Sequence, residues 1–226
     1  MNHKYIGHTV LAMGLALGLA ACDGSSDRQL PGGGMTPPPP PPPPPEGVMV
    51  LGVTESNVLV RFSVDDPGMV DEIGQISVNG GENVVGLDFR PASGALFAVT
   101  SDGRLLGINP ETAAASVITD NIVPEGGMLD GDRFGVDFNP AANALRVVSN
   151  AGQNLRIGPA ALPPNTGAAG VADRQLGYIQ GLVAAAYTNP EGPTARPDAG
   201  TMLFVIDVEG VVHTQNANDG MLTEIG

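Results

Sequence analysis

The sequence predicts an all-β, propeller-like fold: about four repeats of four short antiparallel strands, incomplete or open at the C-terminus. Three observations predict it. A stretch beginning at Val85 recurs at Phe134 with a constant offset of 49 residues. Each unit divides into short apolar runs separated by turn signals, and four-stranded units recurring roughly every 40–50 residues mark propellers. No stretch keeps a 3.6-residue apolar period over helical length.

Composition agrees. The chain has 226 residues, of which 32 are glycine and 21 proline, and only 15% are charged. That excludes a long helical or coiled-coil protein. Tryptophan is absent, so the core must come from Val, Leu, Ile and Ala. One cysteine excludes a disulfide scaffold. A formal charge of −14 repels phosphate backbones, so no nucleic-acid partner is expected.

The chain divides into residues 1–21, 22–47 and 48–226. Lys4 precedes an uncharged run from Thr9 to Ala21, too short to span a bilayer but suited to a secretory signal. The run ends Leu19-Ala20-Ala21-Cys22, which resembles a bacterial lipobox. Cys22 would then carry lipid, and two or more acyl chains anchor a protein stably. The expected location is the cell envelope, lipid-anchored and facing periplasm or exterior. Residues 22–47 have the composition of a disordered linker. Pro37 to Pro45 are consecutive prolines, and a polyproline II rod of that length spans roughly 28 Å, a stiff spacer.

In 48–226 the repeat pairs Gly86 with Gly135, Asp88 with Asp137, Phe89 with Phe138, Pro91 with Pro140, Gly103 with Gly152 and Pro110 with Pro159. In the second unit strands are expected near 83–90, 95–100, 103–109 and 113–119. Ser93-Gly94, Asp102-Gly103 and Asn109-Pro110 supply the turns. The first unit supplies only its second, third and fourth strands, near 49–54, 57–64 and 70–78. The fourth supplies 182–188, 201–207, 210–215 and 221–226. The inner strand of the first unit is therefore missing, and an open sheet edge invites pairing with another chain.

The motifs Val85-Gly-Leu-Asp-Phe-Arg-Pro91, Gly135-Val-Asp-Phe-Asn-Pro140, Arg146-Val-Val-Ser-Asn-Ala-Gly-Gln-Asn-Leu-Arg156, Ala184-Ala-Ala-Tyr-Thr-Asn189 and Thr214-Gln-Asn216 resemble a bacterial secreted family, domain of unknown function 4394. The resemblance covers about 48–226. It implies a propeller-like domain that continues past residue 226, and it brings no catalytic residues.

The residues exclude much chemistry. His213 is the only histidine beyond the signal segment, so a zinc site of three or four His/Cys ligands is out. There is no Gly-x-Ser-x-Gly elbow, no phosphate-binding loop and no dinucleotide fingerprint. His213 reads as an exposed strand residue. No cofactor is expected, and calcium is the one cation the oxygen-rich composition leaves open. Asp88 and Asp137 are its candidate ligands; the competing role for both is capping backbone amides within the repeat. A second cluster, Arg146, Asn150, Gln153, Asn154 and Arg156, departs from the repeat, which has Phe97, Ser101, Arg104 and Leu105 at the first four of those places. Its arginines could meet across a hairpin and offer guanidinium forks to a carboxylate or sugar acid. A solvated hairpin with turn-forming asparagines is the competing reading.

The leading expectation is a lipid-anchored binding or scaffold module with an envelope protein or glycan as partner. One alternative is a metal-assisted propeller hydrolase or lactonase using Asp88, Asp137 or Asn150. The other is an assembly protein that pairs through its open sheet edge.

Overall fold

The computed structural model describes residues 47–159, 162, 171–172, 181–189 and 200–226. The expected signal segment, Cys22 and the proline run lie outside them. The described chain is almost wholly β. Strands β1 (Met49–Val53), β2 (Val58–Ser63) and β3 (Asp66–Gln75) form a first sheet. The second holds β4 (Val84–Arg90), β5 (Ala95–Thr100), β6 (Leu105–Ile108) and β7 (Ala115–Thr119). The third holds β8 (Phe134–Asn139), β9 (Ala144–Ser149), β10 (Asn154–Ile157) and β11 (Val171–Ala172). The fourth holds β12 (Leu182–Tyr187), β13 (Leu203–Asp207), β14 (Val212–Gln215) and β15 (Leu222–Glu224). Every sheet is an antiparallel meander in chain order.

One hairpin turn stamps all four sheets. Asn57, Gly103, Gly152 and Gly210 take φ of 61°, 81°, 94° and 84°, the left-handed region that favours glycine and tolerates asparagine. In each, the N–H of that residue donates to a carbonyl three residues back: Thr54, Thr100, Ser149 and Asp207, at 2.8–3.0 Å. The side chains of those four residues accept the amide four residues on, from Val58, Arg104, Gln153 and Val211, at 2.9–3.1 Å. This turn identifies β1–β2 with β5–β6, β9–β10 and β13–β14. The first sheet therefore holds the outer three strands of a unit. The expected strands are found, and among the described residues the first sheet has no strand on the inner side of β1.

Successive inner strands β4, β8 and β12 run side by side. Glycines on β4 and β8 make this possible. A Cβ at Gly86 would lie 2.4 Å from Val136 Cγ2, and one at Gly135 would lie 2.5 Å from the backbone of Ala184 and Ala185. The buried apolar side chains gather in the joints between sheets. Leu59, Ile76, Leu87, Leu96 and Leu106 fill the first joint. Phe97, Leu105, Val136, Phe138 and Val147 fill the second. The third has a smaller apolar cluster, built on Val148, Leu182, Tyr187 and Val205.

Candidate functional site

The inner-strand carboxylates bridge the sheets. Asp88 Oδ2 accepts the backbone N–H of Phe138 at 2.7 Å, and Asp137 Oδ2 accepts that of Tyr187 at 2.7 Å. Asp88 Oδ1 also accepts the N–H of Phe89 at 2.8 Å. The two carboxyls hydrogen-bond to each other. Burial, and then the charge of Asp88, push Asp137 up to about 9, so at neutral pH the pair shares one proton. Burial raises Asp88 to about 6 against the lowering effect of those amides and of Asp137. The structure thus brings the two candidate cation ligands together, with three of their four oxygens committed to main-chain amides. Among the described residues no three His, Cys, Asp or Glu side chains gather as a cation site.

The arginine–asparagine cluster divides. Asn150 and Gln153 stand at the turn of the β9–β10 hairpin and hold the loop before β8. Asn150 Oδ1 accepts from the amides of Asp132 and Arg133 at 3.1 and 3.2 Å. Gln153 accepts from Asp130 N–H at 2.7 Å and donates to the Met128 carbonyl at 2.8 Å. Asn150 lies beside Arg133 at the start of β8, away from Asp137 near its end. Arg146, Asn154 and Arg156 form the other half. Arg146 and Arg156 are direct cross-strand partners, which places them on one face of the sheet.

Arg146 is only 2% exposed. Its Nη1 donates to Asn154 Oδ1 at 2.6 Å, its Nη2 to the Ala217 carbonyl at 2.7 Å and its Nε to Tyr187 Oη at 3.3 Å. The repeat explains what is unusual. In the preceding joint the equivalent residues are Phe97, Leu105 and Phe138, all buried. Phe97 and Phe138 meet edge-to-face with ring centroids 5.5 Å apart. One unit on, that apolar trio becomes Arg146, Asn154 and Tyr187. A polar joint therefore replaces an apolar one at the same place in the architecture.

Above this joint the surface opens. A recess of about 40 Å³ is lined by Arg146, Arg156, Tyr187, Asn139 and Asn218. It adjoins a cleft of about 570 Å³ walled by Thr201, Thr214, Asn216, Met221 and Thr223, with Asn139, Ala217 and Asn218 shared. Asn139 is held by the amides of Ala141 and Ala142, both 2.9 Å from its Oδ1. The walls supply amides and hydroxyls, and the guanidinium groups lie at one end. Such a surface can hydrogen-bond a polar ligand and pair with an anionic group on it.

Asn139 and Asn218 were not among the expected residues. Asn139 carries a signal in hindsight, since Asn139-Pro140 stands where the preceding unit has Arg90-Pro91. His213 differs from expectation: it is half-buried and bonds Asp207 Oδ2 through Nε2 at 2.9 Å. That contact, with the amides of Val211 and Glu209, holds Asp207 below the usual carboxylate range.

The family model for the domain of unknown function DUF4394 matches residues 58–226, and the chain belongs to that family. No curated protein matches the chain significantly. Among solved structures, an auxiliary nutrient binding protein from Bacteroides thetaiotaomicron is similar at 14% identity and a TM-score of 0.48, over 78% of this chain and 44% of that one. YCF48 bound to D1 peptide is similar at 16% identity and a TM-score of 0.41, over 84% and 55%. BamB from Moraxella catarrhalis is similar at 13% identity and a TM-score of 0.36, over 74% and 40%. The chain spans about half the length of these proteins.

Proposed function

We propose that the protein is an envelope lipoprotein whose propeller-like domain is a binding module. In this reading Cys22 carries the lipid, residues 22–47 are the spacer and 48–226 the domain. The binding surface is the cleft over the joint between the third and fourth sheets. One observation carries the reading: Arg146, Asn154 and Tyr187 stand where the preceding joint has Phe97, Leu105 and Phe138. Burying an arginine costs free energy that an apolar trio would not, and such departures from local rules gather at functional sites. The ligand that suits the surface carries a carboxylate for the guanidinium end and hydroxyls for the amide-rich wall, as a sugar acid does.

The test is a thermal melt of the purified protein with sugar acids, neutral glycans, calcium and EDTA. A sugar acid at about 100 times its Kd should stabilise the native state by about 2.7 kcal/mol. Arg156→Gln should abolish that shift. A melt indifferent to every sugar acid overturns the reading. Lipidation is checked separately, by fatty-acid labelling that Cys22→Ser should abolish.

A further inference from the structure

Among the described residues the first sheet lacks one particular kind of strand. Its order is β1-β2-β3, so among the described residues β1 has no strand on its inner side. In the other three sheets that side is taken by β4, β8 or β12. The shared hairpin turn shows that β1 is the counterpart of β5, β9 and β13, and β1 lies against β4.

Two filled joints show what an inner strand does there. It presents a glycine where the next inner strand comes close, and two residues on an aspartate that takes a backbone amide. Gly86 and Asp88 do this to Val136 and Phe138; Gly135 and Asp137 do it to Ala184, Ala185 and Tyr187. On β4 the amide equivalent to those of Phe138 and Tyr187 belongs to Phe89. It donates instead to the carboxylate of its own neighbour, Asp88. The ring follows suit: Phe89 is 43% exposed, whereas Phe138 is 2% and Tyr187 9% exposed. Two independent features of β4, an amide turned inward on its own side chain and a bared ring, mark a neighbour that no described strand supplies.

We infer that the free edge of β1 and the adjoining Phe89 bind an extended partner segment of pattern apolar-Gly-apolar-Asp-aromatic. The segment pairs antiparallel with β1 as β4 pairs with β5, and its aspartate accepts the Phe89 N–H. Strand addition of this kind draws affinity from main-chain hydrogen bonds and specificity from the alternating side chains. The inference is independent of the cleft at the third joint.

The test uses the full chain and a synthetic peptide, Val-Val-Gly-Leu-Asp-Phe-Arg, with an added N-terminal tryptophan. The protein has no tryptophan, so peptide emission reports binding directly. Saturable binding is expected, with new hydrogen-exchange protection of the Met49–Val53 amides. Replacing the peptide glycine with valine should abolish binding. Replacing its aspartate with alanine should weaken binding roughly tenfold, the loss of one charge-assisted hydrogen bond. Phe89→Ala in the protein should weaken binding while leaving its melt unchanged, because that ring is exposed. Absence of saturable binding to a cooperatively folded protein overturns the inference. So does equal binding of both altered peptides, or binding without protection of β1.

Discussion

The carboxylate of Asp88 reaches across the joint between two sheets to the backbone N–H of Phe138, and Asp137 repeats the reach to Tyr187 one unit later. Gly86 and Gly135 make each reach possible by letting the strands approach. The Gly-x-Asp repeat is therefore an inter-sheet staple. At β12 the position equivalent to Asp137 is Ala186, so the carboxylate series stops there. Two neighbouring staples put two carboxyls in contact, and one keeps its proton.

That proton makes stability depend on pH. Asp137, raised to about 9 in the fold, binds a proton more tightly when folded than when unfolded. Its contribution is complete below its ordinary value of 3.8 and is lost as pH rises toward the folded value. Stability should fall between pH 5 and 8, by at most about 1.4 kcal/mol per pH unit for one proton. Asp137→Asn should remove the slope above about pH 6, where Asp88 no longer titrates, because an amide can donate to Asp88 and still accept from Tyr187. Its melting temperature should exceed that of the parent at pH 8 and not at pH 5. Denaturant midpoints across this range check both statements.

Glu82 works in the opposite sense. Burial alone would raise it. Thr100 Oγ1, the Asn79 amide and Arg104, whose Nη1 is 2.8 Å away, outweigh burial and hold it below its ordinary 4.5. A lowered carboxylate contributes fully above the unfolded value and loses that contribution as pH falls through the folded one. Glu82→Gln should therefore reduce the loss of stability below pH 4.5. At pH 7, Glu82→Ala should cost about 3 kcal/mol, because Arg104 keeps its charge without its buried partner.

The glycine staple predicts a sharp asymmetry between two glycines. At Gly135 a Cβ would meet backbone atoms of Ala184 and Ala185, which cannot rotate away. Gly135→Ala should cost about 3 kcal/mol or abolish cooperative melting. Gly210, in the left-handed turn with no atom within 4 Å of a Cβ, should tolerate asparagine, as Asn57 already shows at the same turn. Melts of Gly135→Ala and Gly210→Asn, compared side by side, separate close approach from backbone conformation.

Much of this was legible because it was local or periodic. The strands of the second and third sheets, the Gly103 and Gly152 turns and the pairing of Asp88 with Asp137 all follow from a constant offset. The fourth turn, Asp207-Val-Glu-Gly210, was harder to see: it lies 58 residues after Ser149-Asn-Ala-Gly152, so the offset of 49 no longer aligns it. Arg146 was legible as a departure from the repeat, but not as buried. Its partners Tyr187 and Ala217 lie 41 and 71 residues away in sequence, beyond any local pattern. Asn150 and Gln153 shared the arginine's stretch of sequence. Their acceptors and donors lie in the loop at 128–133, so nearness in sequence did not imply one site.

The polar joint can be tested by giving it the chemistry of its neighbour. Arg146→Ala alone should cost about 3 kcal/mol, since Asn154 and the Ala217 carbonyl lose their buried donor. The triple replacement Arg146→Phe, Asn154→Leu and Tyr187→Phe restores the trio found at Phe97, Leu105 and Phe138. Exchanging a buried polar network for packed apolar side chains is often neutral or stabilising by about 1–4 kcal/mol. The triple variant should melt at or above the parent temperature and lose any shift induced by sugar acids. A purely architectural role for Arg146 predicts instead that the triple variant keeps the shift. Melting curves of parent, single and triple variants, each with and without sugar acid, decide between stability and recognition as the reason an arginine is buried between these two sheets.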